Sequence, residues 1–276
     1  MCLSLEKWDN FIIDMDGVLW RGETPLSGLQ EFFTALRGTK RNFVLATNNS
    51  NRTVNQYLKK LRRMGVQVSQ EEILTSAQVT ANHLANTAPN GSRVSVIGGD
   101  GLRTSLQEHD FEITDENPAY VVVGFDHNLN WDKLNTAVLN IRAGAVFVAT
   151  NSDATYPTEA GTGIGNGAIV AAINTATGET PIIVGKPEPP LYKQALQRLG
   201  GSPAQTIMIG DRLETDILGA NRAGITSLLL LTGVTTQDNL TDSDIQPDFV
   251  LPGLPELTNA MLSKSETTPD TVEQSL

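Results

Sequence analysis

Short apolar runs alternate with amphipathic segments along most of this chain. The amphipathic patterns at 53–64 and 191–199 predict helices, because their apolar residues recur with helical spacing. Strands that alternate with helices are typical of an α/β fold built on a doubly wound parallel sheet. The apolar runs that predict strands at the two ends of the chain are 10–13, 42–46, 206–209, 227–231 and 248–251.

The middle of the chain repeats the alternation on a smaller scale. We interpret residues 81–180 as a smaller α/β unit inserted into a core formed by 1–80 and 181–262, because acidic motifs lie on either side of it. The polar segment 263–276 lacks apolar periodicity and is expected to be disordered. The inserted unit is predicted to contain strands at 92–97, 120–123 and 145–149 and helices near 101–109, 131–143 and 167–174.

The composition and the net charge exclude several classes of binding partner. The net charge of −11 over 276 residues opposes binding to nucleic acid or to an anionic membrane. Cys2 is the only cysteine, so an internal disulfide is excluded, and the N-terminus lacks the pattern of a secretory signal. No apolar run is long enough to cross a bilayer. We therefore expect a cytoplasmic protein with neither nucleic acid nor membrane as a partner.

The first candidate motif follows the first predicted strand, as Asp14-Met15-Asp16-Gly17-Val18. Residues two apart in an extended segment point the same way, so Asp14 and Asp16 can address one small volume. Gly17 allows the chain to turn sharply after them. An ordinary Asp-Gly turn remains an alternative, whereas a calcium loop fits poorly because Pro25 stands where its closing glutamate belongs.

Two further polar segments also follow apolar runs, 43–46 and 182–184. Thr47-Asn48-Asn49-Ser50 offers a hydroxyl, amides and backbone N–H groups that suit a phosphate, although it is equally typical of a helix cap. Gly185-Lys186-Pro187 places a lysine in a short loop before a helix, where most lysines are solvated surface charges. The sequence has no P-loop signature around Lys186.

The fourth segment, Gly210-Asp211 with Asp216, changes the interpretation through electrostatics. If Asp14, Asp16, Asp211 and Asp216 converge with only Lys186 to balance them, each close pair costs about 4 kcal/mol at an effective dielectric constant near 20. A divalent cation removes this cost. Oxygen ligands without a cysteine cluster favour Mg²⁺ over zinc, and a substrate phosphate would complete the coordination. The metal and the lysine would also allow a carboxylate to attack an anionic phosphate.

Together the four segments resemble the haloacid dehalogenase superfamily of aspartate-nucleophile phosphohydrolases. They occur in the family order, and the resemblance covers nearly the whole chain apart from the tail. The insertion is similar to the α/β cap of the NagD-like and p-nitrophenylphosphatase branch. The cap segments that carry this likeness are Val122-Val123-Gly124-Phe125-Asp126, Ala149-Thr150-Asn151-Ser152-Asp153 and Gly163-Ile164-Gly165-Asn166-Gly167-Ala168.

The resemblance implies a phosphatase that acts on small phosphomonoesters such as nucleotides or sugar phosphates. Asp14 would be the nucleophile that forms an aspartyl phosphate, and Asp16 would protonate the leaving alcohol and later accept a proton from water. Thr47 and Lys186 would hold the phosphoryl oxygens. The presence of Asp16 favours a phosphatase over a dehalogenase. Mg²⁺ would bind Asp14, Asp211 and the backbone carbonyl of Asp16, with Asp216 supporting this site from behind.

The same resemblance places substrate specificity in the cap. Asn48 and Asn49 would lie beside the substrate, and Asp153 and Tyr156 would contact it from the segment 151–157. These residue types are equally typical of a plain turn, so that alternative stays open. Some relatives have a histidine where Tyr156 aligns, so their pyridoxal phosphate selectivity is not expected here. The resemblance also allows for a homodimer that forms through the cap.

Two other functions are alternatives to a phosphatase. The segment from Gly163 to Ala168 fits Gly-x-Gly-x-x-Ala before an apolar helix, as in a dinucleotide-binding oxidoreductase, but no acidic residue follows a strand at the required distance. A binding module that has lost its chemistry is the second alternative. Loss of Asp14 or Asp16 would have indicated it, and both are present.

Overall fold

The computed structural model describes residues 3–158 and 161–263. Two parallel sheets with flanking helices dominate this part of the chain, so the predicted α/β class is confirmed. Its strands are β1 (Asn10–Ile13), β2 (Trp20–Arg21), β3 (Thr24–Pro25), β4 (Asn42–Thr47), β5 (Ile73–Thr75), β6 (Arg93–Ile97), β7 (Glu112–Ile113), β8 (Tyr120–Val123), β9 (Val146–Ala149), β10 (Thr155–Thr158), β11 (Gly161–Ile164), β12 (Ile182–Ile183), β13 (Thr206–Gly210), β14 (Thr226–Leu230) and β15 (Phe249–Leu251).

Helices cover both sheets and connect most of the parallel strands. A 3₁₀ turn at Pro203–Gln205 and a π-helical turn at Leu213–Ile217 flank β13. The α-helices are α1 (Leu29–Gly38), α2 (Val54–Arg63), α3 (Ser76–Thr87), α4 (Asp100–Gln107), α5 (Trp131–Arg142), α6 (Asn166–Thr177), α7 (Pro189–Leu199), α8 (Leu218–Ala223), α9 (Gln237–Thr241) and α10 (Leu254–Leu262).

The larger sheet brings the predicted motifs together. Its strand order is β15-β14-β13-β1-β4-β5, and all neighbouring pairs are parallel. At the carboxyl end of β1, Ile13 is paired with Ile209 of β13 on one side and with Leu45 of β4 on the other. The segments that follow these three strands therefore leave the sheet at one edge, which is where open α/β sheets bind ligands.

Burial on both faces explains why the strands of this sheet read as apolar runs. Phe11 and Ile13 pack into a cluster on one face, and Ile12 packs into a second cluster on the other face. All three side chains are fully buried. Continuous apolar strands are typical of parallel sheets that are covered on both sides.

The smaller sheet is formed by the insertion. Its order is β12-β9-β8-β6-β7, again with parallel neighbours. β12 follows the boundary that the sequence placed at residue 180 and still pairs with β9 in this sheet. The second sheet therefore extends past that predicted boundary, because a two-residue edge strand gives too short an apolar signal to assign.

Sequence reasoning missed the antiparallel hairpin formed by β10 and β11. Its strands are polar and rich in glycine and threonine, so they lack the apolar run that marked the other strands. The hairpin also argues against the dinucleotide-binding alternative, because Gly163 lies within an antiparallel strand. A dinucleotide-binding turn instead follows a strand of a parallel βαβ unit.

Two sequence predictions fall on parts of the chain that lie outside the described residues. They are the disordered segment, of which only Ser263 is described, and the statement about Cys2. Among the residues that the structure does describe, no helix is both long enough and apolar enough to span a membrane.

Candidate active site

A cavity of about 570 Å³ lies where the larger sheet meets the cap, and part of it is open to solvent. Every site residue predicted from the sequence lines its wall. The core contributes residues from the ends of β1, β4 and β13, and the cap contributes residues around β10 and the start of α6. The predicted residues in the wall are Asp14, Asp16, Thr47, Asn48, Asn49, Asp153, Tyr156, Lys186, Asp211 and Asp216.

Lys186 joins two of the carboxylates at the floor of the cavity. Its Nζ lies 2.6 Å from Asp14 Oδ1 and 2.7 Å from Asp216 Oδ1, and it also donates to the carbonyl of Ala46 at 3.3 Å. The lysine side chain is only 2% exposed. Since an unpaired buried ammonium is very costly, these contacts fix the position of Lys186 and of Asp14 together.

The two charged partners set the protonation of this group. Burial alone would lower the pKa of Lys186, but Asp14 and Asp216 raise it well above its ordinary value, so the lysine is charged. Burial raises the pKa of Asp14 well above its ordinary range; Lys186 opposes this shift, whereas Asp216 and Asp211 add to it. One lysine therefore does not balance the negative charge that gathers here.

Asp211 lies on the other side of Asp14. Oxygen atoms of Asp14, Asp211 and Asp216 all lie within 4.8 Å of one another. Burial, followed by the charge of Asp216, raises the pKa of Asp211 to about 7. Gly17 has a φ of +88°, and a Cβ atom at this position would collide with the Asp211 carboxylate. Glycine therefore allows the turn after β1 to lie close to Asp211.

The oxygen atoms left without partners fit a divalent cation. Asp211 Oδ2 accepts from the backbone N–H of Val234 at 2.7 Å, and the structure records no protein partner within its described ranges for Asp211 Oδ1 or Asp14 Oδ2. Both oxygens of Asp216, in contrast, are engaged by Lys186 and by the backbone N–H groups of Asp211 and Arg212. Free carboxylate oxygens on Asp14 and Asp211, with Asp216 behind them, match the ligand set that the resemblance implied.

Asn48 is tied into the protein more fully than the sequence predicted. Its Oδ1 accepts from the backbone N–H of Lys186 at 2.8 Å, and its Nδ2 donates to the Lys186 carbonyl at 2.9 Å and to Asp153 Oδ1 at 3.0 Å. Both amide hydrogens are therefore already used. The amide of Asn48 joins the lysine loop to the end of β4 and leaves no donor for a substrate.

Thr47 and Asp16 keep polar atoms available at the cavity. Thr47 Oγ1 accepts from the backbone N–H of Asn49 at 3.1 Å, so its own hydroxyl hydrogen can be donated elsewhere. Asp16 Oδ1 accepts from Trp20 Nε1 at 2.8 Å. For Asp16 Oδ2, no partner is found in the described part of the chain, which leaves this oxygen for a ligand.

Weaker contacts connect the cap to the core across the cavity. Asn49 Nδ2 donates to the Tyr156 hydroxyl at 3.4 Å, and Arg212 Nη2 donates to the Thr155 carbonyl at 3.4 Å. Burial raises the pKa of Asp153, and the guanidinium of Arg212 opposes this shift. Burial, together with the charge of Asp16, raises the pKa of Tyr156 to about 12, so its hydroxyl stays neutral.

Two cap residues complete this side of the cavity. Phe125 packs against Tyr156 with ring centroids 5.1 Å apart. Asn166 donates through Nδ2 to the carbonyls of Asn151 and Val123, which fixes the orientation of its amide. Its buried Oδ1 has no hydrogen-bond partner among the residues described. The cap thus presents an aromatic surface to the cavity, and Asn166 ties neighbouring segments of the cap together.

Sequence reasoning did not assign Phe125, Arg212 or Asn166 to the site. Arg212 directly follows Asp211, so the expectation that Lys186 alone balances the acidic residues was wrong. Its position beside a motif aspartate was the signal that could have identified it. Phe125 and Asn166 lie in the cap segments that carry the family resemblance, which was the available signal, but only the folding of the cap brings them to the cavity.

Comparisons with known proteins agree with this geometry. A family model of haloacid dehalogenase-like hydrolases matches residues 11–112, and a second model of similar hydrolases matches residues 183–257. The acid sugar phosphatase of Staphylococcus haemolyticus is 35% identical over 246 residues, which are 89% of this chain and 93% of the relative.

Two solved structures share the whole arrangement of core and cap. The 4-nitrophenylphosphatase of Thermotoga maritima superposes with a TM-score of 0.88 at 36% identity, covering 92% of this chain and 98% of that one. The glycerol phosphate phosphatase of Mycobacterium tuberculosis, in complex with magnesium, gives a TM-score of 0.85 at 34% identity, covering 93% of this chain and 78% of that one.

Proposed function

Because this chain belongs to the haloacid dehalogenase-like hydrolases and is a phosphatase of small phosphate esters, we propose that it works through an aspartyl phosphate on Asp14 with Mg²⁺ as cofactor. One observation carries the proposal. Asp14 is buried at the floor of the cavity, its Oδ1 bound by Lys186 at 2.6 Å and its Oδ2 unpaired among the described residues. A carboxylate fixed in this way can attack phosphorus with its second oxygen.

The donor set supports magnesium as the cofactor. Asp211 would hold it through its free Oδ1 and Asp14 through the carboxylate oxygen that does not attack phosphorus, with the carbonyl of Asp16 as a further ligand and Asp216 supporting the site from behind. A bound Mg²⁺ supplies positive charge against the phosphoryl oxygens and removes the repulsion between the carboxylates.

In the first step, Asp14 Oδ2 forms a bond to phosphorus while the bond from phosphorus to the ester oxygen breaks. The ester oxygen takes the bonding electron pair and a proton from Asp16, and an alcohol leaves. Thr47 stabilises a phosphoryl oxygen during this transfer through its O–H donor, and Lys186 acts through its positive charge. The three N–H groups of Lys186 are already bonded to Asp14, Asp216 and the carbonyl of Ala46, so its charge is fixed in place before the substrate binds.

In the second step, a water molecule forms a bond to the phosphorus of the aspartyl phosphate while the bond from phosphorus to Asp14 Oδ2 breaks. The bonding electron pair returns to the Asp14 carboxylate, and inorganic phosphate is released. Asp16, now a carboxylate, accepts one proton of this water, so the enzyme returns to its starting state. Closure of the cap over the cavity would keep other water away from the intermediate. We assign Asn48 to positioning Lys186, in place of the predicted substrate contact, because its amide is fully bonded within the protein.

The cap side of the cavity receives the leaving group. Asn49, Asp153, Tyr156 and Arg212 offer donors and acceptors there, and Phe125 offers an apolar surface. Such a mixed wall suits a small leaving group that carries hydroxyl groups, as in a sugar phosphate or a glycerol phosphate. A nucleotide would place its ribose hydroxyls against the same polar atoms.

Phosphate release from a panel of metabolites, measured with Mg²⁺ and with excess chelator, tests the proposal. We expect Mg²⁺-dependent turnover of several small phosphomonoesters. After rapid acid quenching, mass spectrometry should find one phosphoryl group on the peptide that contains Asp14. Turnover that persists in chelator, or a phosphoryl group on another residue, would contradict the mechanism.

A further inference from the structure

Trp20 lies within hydrogen-bond distance of the residue that moves the proton. Its indole Nε1 is 2.8 Å from Asp16 Oδ1, and the Trp20 side chain is fully buried. The backbone reinforces this contact, since Gly17 N–H donates to the Trp20 carbonyl at 2.8 Å and Asp16 and Trp20 form an isolated bridge. The turn that follows β1 therefore folds back on Asp16.

Two neighbouring side chains hold the indole ring of Trp20 in place. Tyr57 stacks against it with centroids 6.4 Å apart and an interplanar angle of 21°. The ammonium of Lys60 lies 4.2 Å from the ring centroid and donates to the Gly22 carbonyl at 2.6 Å. Stacking and cation–π contacts favour one orientation of the ring, so its N–H stays directed at Asp16.

The type of donor decides which oxygen of Asp16 can carry a proton. An indole N–H donates and cannot accept, so Asp16 Oδ1 must act as the acceptor in this pair. When the carboxyl group is protonated, the indole N–H favours the hydrogen on Oδ2, because a carbonyl oxygen accepts a hydrogen bond better than the hydroxyl oxygen of the same acid. Oδ2 is also the oxygen that has no protein partner in the described ranges, and Asp16 lines the cavity.

The geometry points to Trp20 as the residue that positions Asp16 for proton transfer, so that the proton travels only through Oδ2. This inference rests on the proposed function, in which Asp16 gives its Oδ2 proton to the ester oxygen. As the bond from phosphorus to that oxygen breaks, the bonding electrons stay on the oxygen and the proton makes it an alcohol. Asp16 Oδ2 then takes one proton from the attacking water, while Trp20 keeps its own N–H throughout.

The test uses two substrates with different needs for a proton. Glycerol 2-phosphate has an alkoxide leaving group that must be protonated, whereas the nitrophenolate of 4-nitrophenyl phosphate leaves without a proton. Trp20→Phe removes the N–H and keeps an aromatic ring against Tyr57, although it also removes part of the buried ring volume. We expect kcat/KM to fall by about 10-fold or more for glycerol 2-phosphate and by less than about 3-fold for 4-nitrophenyl phosphate.

Trp8→Phe is the matched control. Trp8 is also buried, at 5% exposure, but its Nε1 has no hydrogen-bond partner in the described part of the chain and it does not line the cavity. This substitution removes an indole N–H without touching Asp16, so the ratio of the two kcat/KM values should stay at the wild-type value. Thermal unfolding of both variants reports the loss of packing separately.

If Trp20→Phe fails to fold, benzothienylalanine at position 20 replaces the N–H by sulfur and preserves the shape of the ring. The same selective loss for glycerol 2-phosphate would then support the inference. Equal losses for both substrates, or no loss for either, would overturn it, because a purely structural role does not depend on the leaving group.

Asp16→Asn separates this inference from the proposed function. If Asp16→Asn loses activity on glycerol 2-phosphate and Trp20→Phe does not, the positioning role of Trp20 is wrong and the proposed function stands. If Asp16→Asn keeps wild-type activity on glycerol 2-phosphate, the proposed function itself is wrong. If the inference and the proposed function both hold, adding Trp20→Phe to Asp16→Asn should cause little further loss of activity on glycerol 2-phosphate. The reason is that the two residues act as one unit.

Discussion

The two halves of the cavity are built differently. On the core side, Asp14, Lys186 and Asp216 are joined by contacts of 2.6 and 2.7 Å between charged groups that are almost fully buried. On the cap side, Tyr156 and Thr155 are held to Asn49 and Arg212 of the core by contacts of 3.4 Å, and the hairpin that carries Tyr156 is antiparallel and polar. Short bonds between oppositely charged groups fix geometry much more strongly than contacts of this length.

This difference separates reaction chemistry from substrate choice. Groups at the ends of parallel strands are held by the sheet itself, so the attacking and proton-transferring atoms are in place before a substrate arrives. The hairpin β10–β11 reaches the core through hydrogen bonds of 3.4 Å, so its residues can change with less effect on the catalytic centre. We therefore expect substitutions on the core side to remove turnover and substitutions on the cap side to alter selectivity.

The largest effect is expected for Asp14→Asn. The amide keeps the size of the side chain and cannot form the aspartyl phosphate, so kcat should fall by about 10⁴-fold or more. Phosphate release measures the loss, and circular dichroism should show an unchanged fold. Asp115→Asn is the matched control, because Asp115 accepts from Ser95 in the cap and does not line the cavity. Near-normal kcat in Asp14→Asn would refute the assignment of the reaction chemistry to the core side of the cavity.

The second prediction concerns Lys186→Met, which leaves Asp14 and Asp216 buried without a cation. The free energy of unfolding should fall by about 3–5 kcal/mol, and kcat should fall by about 10²-fold or more. Urea denaturation and phosphate release measure the two effects. Lys133→Met is the control, since its ion pair with Asp126 is also 2.7 Å long but the lysine is 31% exposed. A similar loss of stability in both variants would mean that the burial of Lys186 does not increase the energetic cost of removing the lysine.

Removal of the metal should make stability depend on pH in a defined direction. Burial raises the pKa of Asp211 to about 7 and raises that of Asp14 as well, so protonation of these groups stabilises the metal-free fold. This contribution is present at low pH and is lost as the pH rises through about 7. Excess Mg²⁺ should therefore increase Tm more at pH 8 than at pH 5.5, whereas Asp211→Asn should reduce this difference. An equal increase at both pH values would show that these carboxylates do not hold the ion.

The smallest effects are expected on the cap side. Asp153→Asn and Tyr156→Phe each change one hydrogen-bonding group, so KM for a sugar phosphate should change by about 3- to 10-fold. Values of kcat for 4-nitrophenyl phosphate should stay within about 3-fold of wild type, because its leaving group has no hydroxyl groups to contact. Steady-state kinetics on both substrates measure the contrast. A loss of kcat comparable to that of Lys186→Met would place these residues in the catalytic centre.

The local pattern of the sequence was enough to predict the fold class and the strands that carry the chemistry. β1 and β8 have the predicted bounds, β4 and β13 extend one residue further than predicted, and β14 is shifted by one residue towards the N-terminus. Such strands are buried on both faces, so their apolar runs are unambiguous. The polar hairpin β10–β11 and the short edge strand β12 gave no comparable signal. The hairpin was missed, and β12 lies beyond the predicted end of the cap at residue 180 although it pairs within the smaller sheet.

The sequence by itself determined which carboxylates gather at the sheet edge, because residues that directly follow parallel strands have little freedom in where they lie. Only the tertiary structure decided what each polar side chain contacts. Asn48 and Lys186 are 138 residues apart in the sequence. Their hydrogen bonds use the side-chain amide of Asn48, which the sequence analysis had expected to contact the substrate. Arg212 reaches Thr155 in the cap in the same way. Hydrogen bonds between distant segments depend on how core and cap pack together, and no local pattern of residues contains that information.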